Sequence, residues 1–445
     1  LQQLRISYLV FLLALSSGLL AQDRTMGLFQ NDEDAYDGYT LFGNSVYTYL
    51  IDNCGELVNT WLTDYKSGHA IHLLENGNLL RAGQVDGDFI AGGRGGVIEI
   101  FNWEGQRLWQ YFHADSSEWA HHDIALMPNG NFLFSAWKRY TVEEARAMGS
   151  MGEGELWSEQ IIEMQVSENF EHKIIWQWNS WDHLIQEVDS TLGNYGIVAE
   201  HPEKIDINYD SKISDGSKNF QHINGLDYNA ERDQIVFSSR FYSEIMVIDH
   251  STTTEEARTG EGGRYGKGGD ILYRYGNPET FGNGDSSDQK LQGQHSIQWL
   301  DNNRFIVFNN LFESGVKSRV QIFNDPAAED GAYNLVNGTY GDDSITWSYT
   351  QDSNFFSNIL SSAQVLPNDN ILICLGKTGR FVEVTEDKKQ VWDYVNPVDR
   401  NQGPLVQGQK PTLNLMFEVK RYPPSYGAFE GRDLEPQGVI ELEPI

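Results

Sequence analysis

Five segments of this 445-residue chain share one pattern that few folds accommodate. They begin at His69 (HAIHLLENGNLLRAG), His122 (HDIALMPNGNFLFSA), His222 (HINGLDYNAERDQIVFSSR), His295 (HSIQWLDNNRFIVFNN) and Ser361 (SSAQVLPNDNILICLG). In each, an Asn falls seven residues after the leading position: Asn76, Asn129, Asn229, Asn302 and Asn368. Asn-Gly and Asn-Asn between two β-rich runs are turn chemistry, so each segment reads as a β-hairpin. A second feature recurs six times, an aromatic strand end: Val58-Asn59-Thr60-Trp61, Trp109-Gln110-Tyr111, Trp176-Gln177-Trp178, Tyr273-Arg274-Tyr275, Trp347-Ser348-Tyr349 and Trp392-Asp393-Tyr394. These read as outer strands, their aromatics as packing residues.

Units of four strands repeated around an axis make a β-propeller. The expected architecture is all-β and six-bladed, with a seven-bladed ring as runner-up. The last blade is shared between GYTLFGNSVYTYLIDNCGELVNTW near the start and LNLMFEVKRY near the end, a pairing that closes the ring and removes free sheet edges. Leading positions are spaced by 53, 100, 73 and 66 residues, so the long gap holds an insertion at about 179–219. It contains a candidate short helix, WDHLIQEV, and reads as a lid or loop over one face. The abundance of Gly (43) and aromatics (12 Trp, 21 Tyr, 22 Phe) excludes a helical bundle, a coiled coil and a disordered chain.

Residues 1–21 read as a signal peptide: Arg5, an apolar run from Tyr8 to Leu15, then small residues up to Ala21. An uncleaved anchor is the alternative, although the run is short for spanning. Residues 22–37 are a lead segment and residues 38–445 the propeller. The expected location is therefore periplasmic or secreted, with no stable membrane insertion after cleavage. The formal net charge of −32 argues against nucleic acid as a partner. Cys54 and Cys374 could form a single bridge; two cysteines are too few for a disulfide scaffold. Oligomeric state is not legible.

Four of the eleven histidines, His69, His122, His222 and His295, occupy the head of an inner strand. In a propeller such positions converge on the axis. Within the third hairpin, pairing across the turn sets Arg240 opposite His222, and Asn224 lies two residues along the strand. A cluster of His122, His222, His295, Asn224 and Arg240 is rich in donors and suits an anionic group. His69 is the least typical member. A purely architectural role and a three-His metal site are the competing readings. His121, His183 and His201 read as solvated loop residues.

The segments HHDIALMPNGN, QHINGLDYNAERDQIVFSSR, GQHSIQWLDNN and AQVLPNDNILICLGKTGRFVEVTEDKKQVWDY resemble the bacterial arylsulfate sulfotransferases, which use no nucleotide sulfate donor. The eighteen-residue interval from His222 to Arg240 is the most specific match, and the resemblance covers about residues 38–425. It implies a six-bladed propeller with its site in the central channel. By that resemblance His295 is the sulfated nucleophile, and His222 and Arg240 hold the sulfuryl oxygens with Asn224 beside them. His122 is a further channel histidine, and Ser361 fills the fifth leading slot as a substrate-binding hydroxyl. The resemblance implies an aryl sulfate donor, a phenol acceptor, and no metal or other cofactor. Some members carry a β-rich domain ahead of the propeller; here the 16 residues 22–37 separate the expected signal peptide from the first blade strand, so any role of that domain is not expected to carry over.

The implied chemistry is a two-step transfer through sulfohistidine, with ping-pong kinetics. Two other functions compete. One is a secreted ligand-binding propeller without catalysis; the other is a hydrolase on the same scaffold, with water as acceptor.

Overall fold

The computed structural model describes residues 24–87, 91–209, 219–301, 303–351 and 355–444. The expected signal peptide and Asn302 therefore lie outside the described residues, as do residues 210–218 of the insertion. Six antiparallel sheets stand around one axis, each with its first strand innermost. Six blades, not seven, close the ring.

Each of the five leading hairpins supplies the two inner strands of a blade. The second blade runs Ser67–Leu73, Leu79–Gln84, Gly96–Phe101 and Arg107–Phe112. The third runs Glu118–Leu126, Phe132–Tyr140, Leu156–Val166 and His172–Asn179. Blades four, five and six begin with Ile223–Asn229, His295–Asp301 and Ser362–Val365. The first blade is built from both ends of the chain: Lys420–Tyr422 is innermost, followed by Tyr39–Phe42, Tyr47–Ile51 and Leu57–Leu62. The lead segment is not separate from the ring, because Gly27–Asn31 pairs with Gln390–Val395 as a fifth, outermost strand of blade six.

The aromatic strand ends all lie on fourth strands, and their indole N–H groups staple one blade to the next. Trp61 donates to the Asn102 carbonyl (2.8 Å), Trp178 to Gly269 (2.7 Å), Trp347 to Glu386 (2.8 Å) and Trp392 to Asn53 (2.9 Å). Buried indoles need such partners, and the turns of the following blade provide them. Near the axis side chains do the stitching. Asp123 accepts from the Leu226 N–H (2.9 Å), Asp227 from Trp299 (2.8 Å) and Glu418 from Ile71 (2.8 Å).

Two expectations fail. WDHLIQEV is not an α-helix: Ser180–His183 is a 3₁₀ turn, and Leu184–Ile185 pairs in parallel with Ile205–Asp206. The described part of the insertion is packed rather than loose, with Ile205 and Ile207 fully buried and the Tyr242 hydroxyl donating to the Asp206 carbonyl (2.6 Å). The Cys54–Cys374 bridge, which the sequence left open, is absent: Cys54 is exposed, Cys374 is buried, and both are free thiols.

Candidate active site

The leading slot of each inner strand carries an unusual backbone. His69 (φ 99°), His122 (φ 46°), His222 (φ 64°) and Ser361 (φ 87°) are left-handed, and so is Ser296 (φ 54°) beside His295. In blades two to five the ladder also slips at this point, between Ser67 and Ile71, at Phe134/Ser135 opposite, between Ile223 and Leu226, and between His295 and Gln298. A β-bulge re-aims a side chain, and left-handed non-glycine residues cost on the order of 1–3 kcal/mol each. The strain turns the imidazoles toward one another across the axis.

The rings do meet. His122 lies 4.5 Å from His222, 5.6 Å from His69 and 6.5 Å from His295, centroid to centroid. Gly93 (φ 82°) packs against His122 so closely that a Cβ there would fall 1.7 Å from its Cε1. Past the bulge, the Arg240 N–H bonds the His222 carbonyl at 3.0 Å, as the hairpin pairing predicts.

The pocket's charge differs from expectation. Burial, with Arg240 nearby, lowers the His295 pKa to about 3, and burial with Arg400 does the same to His69. Burial and the neighbouring cations and rings hold His122 and His222 well below the usual imidazole range. His69, His122, His222 and His295 are therefore uncharged, with the Arg240 guanidinium beside His222 and His295 and Arg400 near His69. Arg240 Nε is buried without a hydrogen-bond partner, and its Nη2 reaches only the Asn358 carbonyl, at 3.5 Å. Among the described residues no carboxylate pairs with it. No group of three or more His, Cys, Asp or Glu among the described residues is placed to hold a metal ion.

Hydrogen-bond partners fix the tautomer of His295. Asn310 donates through Nδ2 to the carbonyls of Ser357 and Leu360 (both 2.8 Å), so its Oδ1 must face His295 Nδ1, at 2.8 Å. The hydrogen of His295 is thus on Nδ1, and its Nε2 lone pair accepts from the Leu360 N–H at 3.1 Å. The Asn219 side-chain amide lies 2.5 Å from Nδ1 of His222.

Two expected substrate-binding residues are engaged elsewhere. Asn224 donates to the Gln294 carbonyl of the next blade at 2.7 Å, although its Oδ1 is buried and unpartnered. The Ser361 hydroxyl donates to Ser357 Oγ and accepts from the Gly376 N–H, both at 2.9 Å, which ties together the loop holding Leu360. The expected solvated histidines differ too. His121 and His183 have fully buried side chains paired with Glu159 (2.9 Å) and Asp270 (2.6 Å), whereas His201 is exposed. Sequence reading missed His121, Glu159 and Asn310. The one signal was the adjacent His-His pair, since Asn310 lies two residues past Phe308, the partner of His295 in its hairpin.

A guanidinium with no carboxylate partner among the described residues thus stands among buried imidazoles at the axis of a closed propeller. By comparison with protein families, the chain belongs to the arylsulfotransferase (ASST) family, whose model matches residues 24–419. No curated protein matches the chain. Solved structures are similar to the chain only at low sequence identity. A protein of unknown function from Bacteroides caccae is 12% identical (TM-score 0.44, covering 81% of this chain and 95% of that one). The periplasmic gluconolactonase of Pseudomonas aeruginosa is 9% identical (TM-score 0.42, 86% and 99%). Such likenesses say nothing about activity.

Proposed function

We propose that the chain moves a sulfuryl group from an aryl sulfate to a phenol through a sulfohistidine at His295. The observation that carries this reading is Arg240, a cation with a buried unpartnered nitrogen and no carboxylate, set beside neutral donors. A sulfate monoester supplies the missing negative oxygens.

In the first step the Nε2 lone pair of His295 attacks sulfur, and the S–O bond to the aryl group breaks toward the phenolate. The Leu360 N–H, which holds that lone pair at rest, loses its acceptor and becomes available to a sulfuryl oxygen. Positive charge growing on the ring is eased by Asn310 Oδ1 at Nδ1. Arg240 and His222 stabilise the charge spread over the three oxygens, as in phosphoryl transfer. His122 protonates the departing oxygen and, in the second step, takes the proton of the incoming phenol as its oxygen attacks sulfur and the S–N bond breaks. The expected signal peptide supports a periplasmic or secreted location.

The test is 4-nitrophenyl sulfate with and without phenol. Phenol-dependent release of 4-nitrophenol supports transfer. Equal release without phenol points to a hydrolase, and no release to a binding propeller. Arg240→Ala should lower kcat by about 10²-fold, the typical loss of one oxyanion donor.

A further inference from the structure

His122 is the end of a buried chain of groups that the transfer reaction, as derived so far, does not use. Its Nδ1 lies 2.9 Å from Nδ1 of His121, and Nε2 of His121 lies 2.9 Å from Glu159 Oε2. The side chains of His121 and Glu159 are 0% exposed. His121 is stacked on Trp137 with centroids 3.8 Å apart and planes within 8°, so the ring cannot turn away. The other carboxylate oxygen of Glu159 accepts from Trp137 Nε1 (3.0 Å) and from the His222 N–H (2.9 Å). Among the described residues no Lys or Arg pairs with Glu159.

Two nitrogens at 2.9 Å share one hydrogen, and a carboxylate only accepts. Nε2 of His121 therefore carries hydrogen toward Glu159. Two proton arrangements remain. With His121 neutral, the shared hydrogen belongs to His122 Nδ1, and His122 presents a lone pair at Nε2. With His121 protonated, the shared hydrogen belongs to His121, and His122 presents an N–H at Nε2. We infer that Glu159 and His121 are a proton relay that switches His122 between acid and base, serving the two halves of the transfer.

The steps balance. In donor cleavage His122 gives its Nε2 proton to the leaving phenolate while the shared hydrogen crosses from His121 to His122, which leaves His121 neutral. In acceptor attack the phenol proton goes to His122 Nε2 and the shared hydrogen crosses back, restoring protonated His121. Glu159 keeps its negative charge throughout and offsets the imidazolium. Because burial holds His122 itself uncharged, the stored proton resides next to the carboxylate. Glu159 and His121 act through His122 and are positioning residues. The groups facing the pair are His222 with Arg240 from blade four, His295 from blade five, His69 with Arg400 behind it, and His113 beside His121. All the uncharged members leave Glu159 as the carboxylate in direct contact.

This relay rests on the transferase reading, and the test separates the two. Phenyl sulfate has a basic leaving group that needs a proton; 4-nitrophenyl sulfate has one that does not. In Glu159→Gln the ratio of single-turnover rates, phenyl sulfate over 4-nitrophenyl sulfate, should fall on the order of 100-fold, the scale of general acid catalysis. An unchanged ratio overturns the relay and leaves the transferase reading standing. A wild-type chain that transfers from neither donor overturns both. Should Glu159→Gln fail to fold, the wild type carries the test through its rate in mixtures of H₂O and D₂O. Two protons in flight with phenyl sulfate support the relay, and one overturns it.

Discussion

Asn310 and His295 are locked in a single hydrogen-bonded arrangement: the amide nitrogen of Asn310 is held by two carbonyls, so its oxygen takes the Nδ1–H of His295 at 2.8 Å. That contact leaves the lone pair on Nε2, where the Leu360 N–H holds it at 3.1 Å and where the proposed attack would start. It joins a hairpin end in blade five to the loop that leads into blade six, which is why the nucleophile's tautomer depends on the closed ring.

Asn310→Ala removes the acceptor and frees the tautomer. Turnover of 4-nitrophenyl sulfate should fall about 10²-fold in kcat with a smaller change in KM, because the lost contact strengthens only as charge develops. A variant that changes KM alone would show that Asn310 serves binding.

His295, the proposed nucleophile, has its pKa lowered to about 3 by burial and Arg240 and stays unprotonated through the ordinary range. Protonation would remove the attacking lone pair, so activity falls only as pH drops toward 3. The pH profile of kcat/KM for 4-nitrophenyl sulfate should be flat from pH 8 to about pH 5. A drop centred near 6.5, the ordinary imidazole value, would contradict burial as the controlling effect.

His250 shows the opposite behaviour. Burial works against its charge, but hydrogen bonds from its ring to Asp233 (2.7 Å) and Glu163 (3.2 Å) outweigh it and raise the pKa to about 9. A raised value stabilises the fold fully below the unfolded pKa of about 6.5, and the gain is lost as pH rises through about 9. Wild type should exceed His250→Gln by on the order of 2 kcal/mol at pH 6, with the difference shrinking as pH rises from about 6.5 and nearly gone by about 9. Urea unfolding across that range measures it, and a pH-independent difference would show that packing, not charge, is lost.

Ring closure has its own weak point. Arg421 on the innermost strand of blade one is fully buried, paired with the equally buried Glu383 of blade six, and donates to Thr40 Oγ1 at 2.9 Å. Arg421→Ala leaves a buried carboxylate unpaired and should cost about 3–5 kcal/mol in urea unfolding. A loss under 1 kcal/mol would show that the strand pairing closes the ring without this ion pair.

The propeller was legible because its signals are local and repeated. The Asn turns and the aromatic strand ends mark inner hairpins and outer strands whatever lies between them. The His222–Arg240 pairing was legible for the same reason, as two positions of one hairpin. What escaped depended on irregularity or on other blades. The bulges and left-handed residues at the leading slots leave no compositional trace, and strand alternation from His222 does not show that the Asn224 amide bonds the Gln294 carbonyl of the next blade. Desolvation of the imidazoles follows from how closely six strands crowd one axis, so the uncharged rings could not be read from residue types. His121 looked like a loop residue because its partner Glu159 is distant in sequence and belongs to the third strand of the same blade.

The account stands or falls on His295 carrying the group. After exposure to 4-nitrophenyl sulfate without acceptor, intact-mass analysis should show one added SO₃ unit, mapped to the peptide containing His295, lost on adding phenol, and absent in His295→Ala. A His295→Ala chain that still acquires the unit, or a wild type that releases 4-nitrophenol and never carries it, would contradict the account.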